Sequence, residues 1–493
     1  VTGAHLSTSD DLLRALLPGY LAEWVRLAAR RPLPKPEDAD APAPEHHLLY
    51  VDTFACSALA GPLATRGQPC ARALAAVSAL AEAVASEGGP RHPLHLRVVL
   101  VEEDPAHVQA IREALEAAGT PVREMRGLES AAPGEVALVE ADFADVAEDV
   151  ARLASSATDA LCLLAPPSPR RLPWGLVRTL AESGDAELLV AFPHADLHKQ
   201  ARFGGTPLAD LPAYARRIVD GYSALMGDAR HEWLGVWREA ERTAGPAAAE
   251  QRILDRYRDR LRTIGPGRTV RPFALHPPAA SGDAAASGDP GASGGAGTSG
   301  DAAASGDVEP ATLLHLFQLA PDPARPLAMN GVLRAASVHD AAPDRAGTRA
   351  ARIPRPAAES EILELFSPDV VAPQVWAPQP VDAAAVADVI AARFAGRTVP
   401  FRAILIALAD TDLVADEVRS AMAVLKRSGR AVFRSLADDT AAVIFPKVPV
   451  PPAAKRSAPK PEDDAGLFAA EHPPKPADDG RPSRRNKPRS GGA

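Results

Sequence analysis

The stretch LRVVLVEEDPAHVQAIREALEAAG, residues 96–119, carries a strand, a turn and a helix in that order. LRVVLVEED (96–104) is near-continuously apolar with its charges gathered at the end, the pattern of a strand covered on both faces. Pro105 opens the helix and Gly119 closes it, the usual asymmetry of helix ends. The same unit recurs on either side. HLLYVDTFA (47–55) precedes the helix-like ARALAAVSALAEAVA, and EVALVEADF (135–143) precedes ADVAEDVARLASS. DALCLLAPP (159–167) precedes a helix near LPWGLVRTLAES, and AELLVAFPH (186–194) is a fifth strand. A β-α repeat of this length predicts an α/β fold with a Rossmann-like, doubly wound parallel sheet. Two later strands, TVRPFALH (269–276) and TLLHLFQLA (312–320), are expected to close it as an antiparallel pair.

Around this sheet the chain divides by composition. Residues 1–43 hold a helical segment and a Pro- and Asp-rich connector; Leu12, Leu13, Leu16, Leu17, Leu21, Trp24 and Val25 fall at helical spacing, with a kink point at Pro18-Gly19. The Rossmann-like domain spans 44–278 and resumes at 309–335 with its last strand and helix. Between them, 279–308 is a low-complexity insertion with a repeated SGD unit, read as flexible linker. It lacks the glycine and glutamate positions of a calcium loop. Residues 336–380 form a Pro-rich linker. From 381 to 446 three helices precede a hairpin, AVFRSL–ADD–TAAVIF, the order of a winged-helix domain. The tail, 447–493, is Pro-rich, charged and expected to be disordered.

The 493 residues carry a net charge of −9, which gives no global electrostatic case for nucleic acid or an anionic membrane. No apolar run approaches the ~20 residues that span a bilayer and no leader opens the chain, so the expected address is cytoplasmic, with no membrane partner. Cys56, Cys70 and Cys162 show no ligand spacing. Each is expected as a buried, reduced thiol, with no disulfide framework and no metal.

Ligands of doubly wound sheets bind beyond the carboxyl ends of the strands, so the candidate residues are those that finish each strand. After the first strand come Asp52, Thr53, Phe54 and Ala55, then Cys56-Ser57-Ala58, where a nucleotide loop usually has glycines. This is either a plain loop or an altered cofactor loop. After the second strand, Glu102 could accept from ribose hydroxyls while Asp104 caps the helix. After the third, Asp142 and Phe143 could meet an adenine amino group and ring, or be a capping acid and a core ring. Ala165-Pro166 after the fourth offers no acid, amide or histidine. After the fifth, His194 is the candidate for proton transfer, beside Asp196 and His198. In the C-terminal unit, Arg419, Lys426, Arg427, Arg430 and Arg434 suit either DNA phosphates or a protein partner, diluted by Asp412, Asp416, Glu417, Asp438 and Asp439.

The order of these features resembles the three-Cys-motif partner family (TcmP), whose members resemble class I S-adenosylmethionine-dependent methyltransferases. LLPGYLAEW is similar to that family's N-terminal helix, and YVDTFACSALAG (50–61) stands at its aromatic-Asp-x-Phe-Ala-Gly-Pro-Gly loop. Gln68-Pro69-Cys70 falls at a Ser/Thr-Pro step, LVEEDP (100–105) at its acidic strand end, and Leu172-Pro173-Trp174 at its Ile-Pro-Trp. AELLVAFPH and LLHLFQLAPDPARPLAMNGVL (313–333) resemble later elements. The departures are Cys56-Ser57-Ala58 for Gly-Pro-Gly, Ala165-Pro166 for Asp-Pro, and Ala191 for an Asn. The resemblance implies S-adenosylmethionine as cofactor, held by Glu102, Asp142, Phe54 and Phe143, with Asp52 orienting the first loop. It also implies a radical-S-adenosylmethionine-like three-Cys-motif protein as partner. With so much of the loop changed, the expectation is a partner protein of weak or absent catalysis. The alternatives are an active methyltransferase on nucleic acid or protein, and a winged-helix DNA-binding regulator.

Overall fold

In the computed structural model, the apolar runs become a single eight-stranded sheet. The structure describes residues 9–31, 33, 45–56, 70–88, 93–125, 128, 134–193, 197, 206–265, 267–275, 314–339, 382–436 and 440–447. The strands are β1 (His46–Asp52), β2 (Leu94–Glu102), β3 (Val122–Met125), β4 (Val136–Glu140), β5 (Asp159–Leu164), β6 (Glu187–Phe192), β7 (Thr269–Leu275) and β8 (Leu314–Ala320). They lie in the order β3-β4-β2-β1-β5-β6-β8-β7. The first six run parallel; β8 is antiparallel to both β6 and β7, as the sequence pattern predicts. The short β3 at the sheet edge has no counterpart among the predicted strands. Its four residues, VREM, carry two charges and no apolar run.

The strand pattern explains the layers. Alternate residues of β1 face opposite ways: Leu49 and Val51 enter one core, Leu48 and Tyr50 the other. The first core is covered by α4 (Phe143–Ser156), α5 (Trp174–Glu182), α6 (Ala213–Met226), α7 (Glu232–Ala244) and α8 (Pro246–Ile264). The second is covered by α1 (Ser9–Ala29), α2 (Ala71–Glu87), α3 (Pro105–Ala117) and α9 (Ala324–His339). With helices on both sides, neither strand face can be polar, hence the continuous apolar runs.

The N-terminal segment is one helix that continues through Pro18. Its buried stripe of Leu17, Tyr20, Leu21 and Trp24 holds both halves against the sheet layer. The adjoining Gly19 lets α9 approach, because a β-carbon there would lie 2.9 Å from Val332 Cγ1. At the far end of the sheet a buried polar network ties α1 to the strand starts. Trp24 Nε1 donates to Asp159 Oδ1 at 3.0 Å, and Arg325 of α9 pairs with both Asp159 and Glu187. Gln318 Nε2 donates to the Tyr20 hydroxyl and to Glu187, each at 2.6 Å.

The C-terminal unit holds α10 (Ala383–Phe394), α11 (Phe401–Leu408) and α12 (Ala415–Arg427) around their own core, which Leu327 of α9 enters. The predicted hairpin takes a different form. β10 (Ala442–Ile444) pairs with β9 (Thr398–Pro400), and only a single bridge, Val432 to Ile444, joins it to the first half of the expected hairpin. The expected ADD turn, most of the Pro-rich linker, the low-complexity insertion and the tail lie outside the described residues. Among the described residues no helix is long and apolar enough to cross a membrane.

Candidate functional site

Strand order reverses about β1, whose neighbours are β2 on one side and β5 on the other, so the crevice for a ligand opens beyond their carboxyl ends. The chain leaving β1 is pinned across this edge: Thr53 N–H donates to Leu163 O at 3.1 Å and Ala55 N–H to Val101 O at 3.0 Å.

Asp52 ends β1 with no exposed surface. Its Oδ1 accepts from Phe54 N–H at 3.3 Å and lies 3.2 Å from the Arg72 guanidinium. Arg72, from the first turn of α2 and equally buried, also donates to Phe54 O and stands 3.2 Å from Asp10 of α1. Arg72 thus clamps the β1 turn between two helices. Burial pushes the Asp52 carboxyl up from its ordinary value, and the Arg72 charge opposes that shift. Nothing in the spacing of Arg72 from Asp52 marked it as a partner.

Glu102 ends β2 and is 6% exposed. Its Oε2 accepts from Cys56 N–H at 2.9 Å, and its Oε1 accepts from Asp104 N–H at 3.1 Å with His107 Nδ1 at 3.4 Å. The carboxylate is turned into the chain and engaged at both oxygens. Asp104 caps α3 through Ala106 N–H at 2.9 Å.

Asp142 caps α4 through Ala144 N–H at 3.1 Å, and its other oxygen lies 2.9 Å from Arg171. Arg171, from the loop after β5, also pairs with Glu103, so one guanidinium ties the ends of β2 and β4. Phe143 and Phe54 meet edge to face in the core, centroids 5.7 Å apart, with Phe143 1% exposed. Ala165 and Ala191 are fully buried. His194, Asp196 and His198 lie outside the described residues, as does 57–69 with Ser57 and Ala58.

Two of the three cysteines correct the thiol expectation: Cys56 and Cys70 form a disulfide. They stand fourteen positions apart in sequence, and it is the turn after β1 and the start of α2 that bring them together. Cys162 is a buried free thiol, as expected.

A Ser-His-Asp grouping, absent from the sequence expectations, occurs where α6 meets α7. Ser223 Oγ lies 2.5 Å from His231 Nδ1, and Asp220 Oδ1 lies 3.7 Å from His231 Nε2. Ser223 is 5% exposed and its oxygen accepts from Trp233 Nε1 at 2.8 Å, which makes it a packing corner rather than a nucleophile.

In the C-terminal unit, Arg419 pairs with Asp416 at 2.9 Å and Arg430 with Asp388, while Lys426 Nζ lies 4.7 Å over the Phe433 ring. Arg427 and Arg434 are exposed. The α11–α12 turn faces inward. Asn330 donates to Thr411 O and Leu413 O, both at 2.8 Å, and Arg334 pairs with Glu417 in the first turn of α12.

Set beside known proteins, the chain matches no family model and no curated sequence. What this edge can do chemically therefore rests on its own side chains. It offers a clamped acid at β1, an inward-turned acid at β2 and a guanidinium bridge, and each of these polar groups is engaged within the chain.

Proposed function

We propose that the chain is a divergent three-Cys-motif-partner-like protein. Its methyltransferase-like domain is weakly active or inactive, and it acts in complex with a radical-S-adenosylmethionine-like three-Cys-motif protein. The weak or absent catalysis rests on Glu102. An acid at this strand end would take the ribose hydroxyls of S-adenosylmethionine. Here both of its oxygens already accept from the chain, and little of it reaches solvent. Asp142 is likewise spent on a helix cap and on Arg171, and Phe143 is packed inward. These residues do not fit a cofactor held through Glu102 and Asp142, so we derive no catalytic step. The methyltransferase-like part is supported by the run β4-β2-β1-β5-β6-β8-β7 with β8 alone reversed, the order of class I methyltransferases.

We assign the C-terminal unit, a winged helix in this proposal, to protein contact. Ile406, Val432 and Ile444, three of the four exposed large hydrophobics among the described residues, belong to it. Winged helices that read DNA insert the N-terminal residues of the recognition helix, whereas the start of α12 is docked on α9.

Titration calorimetry of the full chain with S-adenosylmethionine and S-adenosylhomocysteine tests the inactive assignment. No heat at millimolar ligand is expected. Micromolar binding would overturn it and direct the search to a methyl acceptor.

A further inference from the structure

The corner between β1, α2 and α3 gathers more metal-binding chemistry than a structural disulfide needs. Cys56 Sγ, an imidazole nitrogen of His107 and a carboxylate oxygen of Glu102 all lie within 4.8 Å of one another, and Cys70 Sγ is bonded to Cys56. Three donors of three kinds therefore converge, a sulfur, a nitrogen and an oxygen, with a second sulfur bonded to the first. Cys70 is peculiar in its own right. It stands at the N-cap of α2 with φ 70°, in the left-handed region, and its side chain makes no capping hydrogen bond. N-caps usually have extended backbone and an oxygen to accept from the helix. A left-handed conformation is rare for a residue with a β-carbon and persists where the surroundings hold it. Here that conformation keeps the sulfur beside Cys56 rather than over the α2 amides.

We propose that, with its two cysteines reduced, this corner is a zinc(II) site ligated by Cys56, Cys70, His107 and Glu102, the last through the second lone pair of Oε1, which faces His107 inside the chain and not the solvent side from which a nucleoside would come. Two thiolates with one imidazole and one carboxylate suit zinc or cobalt and not magnesium or calcium. Tetrahedral zinc, with bonds of 2.0–2.3 Å, places its ligand atoms about 3.3–3.8 Å apart. The Cys56, His107 and Glu102 donors reach that with roughly 1 Å of side-chain movement, and once reduced the two sulfurs part by about 1.7 Å from their bonded distance. His107, the most exposed of the four ligands in the first turn of α3, has room to make it. The N-terminus of α2 also favours the negative charge of a metal-bound thiolate at Cys70. Binding releases one proton from each thiol.

Oxidation empties the site. Hydrogen peroxide takes two electrons from the thiolates, one S–S bond forms and the O–O bond breaks. Two solvent protons complete two waters, and zinc leaves with its charge unchanged. The disulfide form is then the metal-free form of a redox-gated site. This goes beyond the partner role proposed above and does not rest on it.

Cobalt(II) is the probe, since thiolate ligation gives it charge-transfer absorption in the near ultraviolet. The full chain is reduced with a phosphine, freed of reductant without oxygen, and titrated. One cobalt per chain with that absorption, displaced by zinc, is expected; the unreduced chain gives none, and peroxide abolishes the band. His107→Ala should weaken binding roughly ten-fold or more, and Cys70→Ser should remove the two-thiolate signature. The oxidised and reduced forms of the unaltered chain are compared directly, so the result does not depend on a variant folding. A reduced chain without the band, or a band indifferent to both substitutions, overturns the site. Either result leaves the methyltransferase-like proposal standing, because the nucleoside ligands alone test that.

Discussion

Cys162 lies mid-strand in β5 without exposed surface, and burial pushes its thiol up to about 12 from an ordinary 9.0. The folded chain therefore keeps this proton at pH values where the unfolded chain has lost it. Stability contributed by the group falls as pH rises through the window between the two values. At pH 10.5 the loss attributable to it is about 2 kcal/mol. Urea unfolding of wild type and Cys162→Ala at pH 7.5 and pH 10.5 reads this directly, with the wild type losing more between the two. The same burial protects the thiol from alkylation in the folded state, which leaves Cys56 and Cys70 as the only thiols a reagent can reach once the disulfide is reduced. Glu102 and Asp142 show the limit of inference at this scale. Both stand where strand-end reasoning places them, yet the partners that occupy them, Cys56 N–H and Arg171, come from segments 46 and 29 residues away. Strand ends are visible in hydropathy; which loop folds back over them is not.

At the level of elements, the helix that opens the chain is held by buried charge as well as by its apolar stripe. Asp159 and Glu187 begin β5 and β6, and burial raises both carboxyls while Arg325 opposes the shift. Arg325→Met would leave two buried carboxylates unpaired, a loss of roughly 3–5 kcal/mol near neutral pH. Without the guanidinium the two acids hold their protons still more firmly, so acid relieves the defect. The deficit against wild type, measured by urea unfolding, should be smaller at pH 5 than at pH 7.5. An equal deficit at both would mean that Arg325 acts through packing on Trp24, whose ring lies 5.8 Å from it, rather than through charge. The helix itself was readable from its apolar spacing. Its fastening was not, because Asp159, Glu187 and Arg325 sit at the ends of otherwise apolar segments and look like solvated termini.

Over the whole molecule, the C-terminal unit is docked by its helix-helix turn. Besides Asn330 and Arg334, Arg271 pairs with Asp412, Arg262 lies 3.0 Å from Asp410, and Arg402 donates to Pro321 O at 2.8 Å. Of the acids that dilute the basic patch in the sequence, Asp412 and Glu417 are docking contacts themselves, joined by Asp410. With that turn covered and a net charge of −9, the chain should show no salt-sensitive affinity for duplex DNA. Fluorescence anisotropy with a labelled duplex from 50 to 200 mM salt measures it (roughly the range over which phosphate contacts lose most of their affinity). Binding that falls steeply with salt and with Arg430→Ala would restore the regulator alternative.

Local chemistry was enough to place seven of the eight strands, helices α1 to α5, the antiparallel pairing of β7 with β8 and the three C-terminal helices, whereas α6, α7 and α8 were not among the expectations. Two-faced burial demands continuous apolar runs, and helix ends demand their caps, so both leave a local record in the chain. The edge strand β3, the shortened hairpin, the Cys56–Cys70 pairing, the inward turn of Glu102 and the docking of α12 belong to the folded chain alone. Each depends on which distant segments meet, and a contact between segments far apart in sequence imposes no spacing that either of them carries.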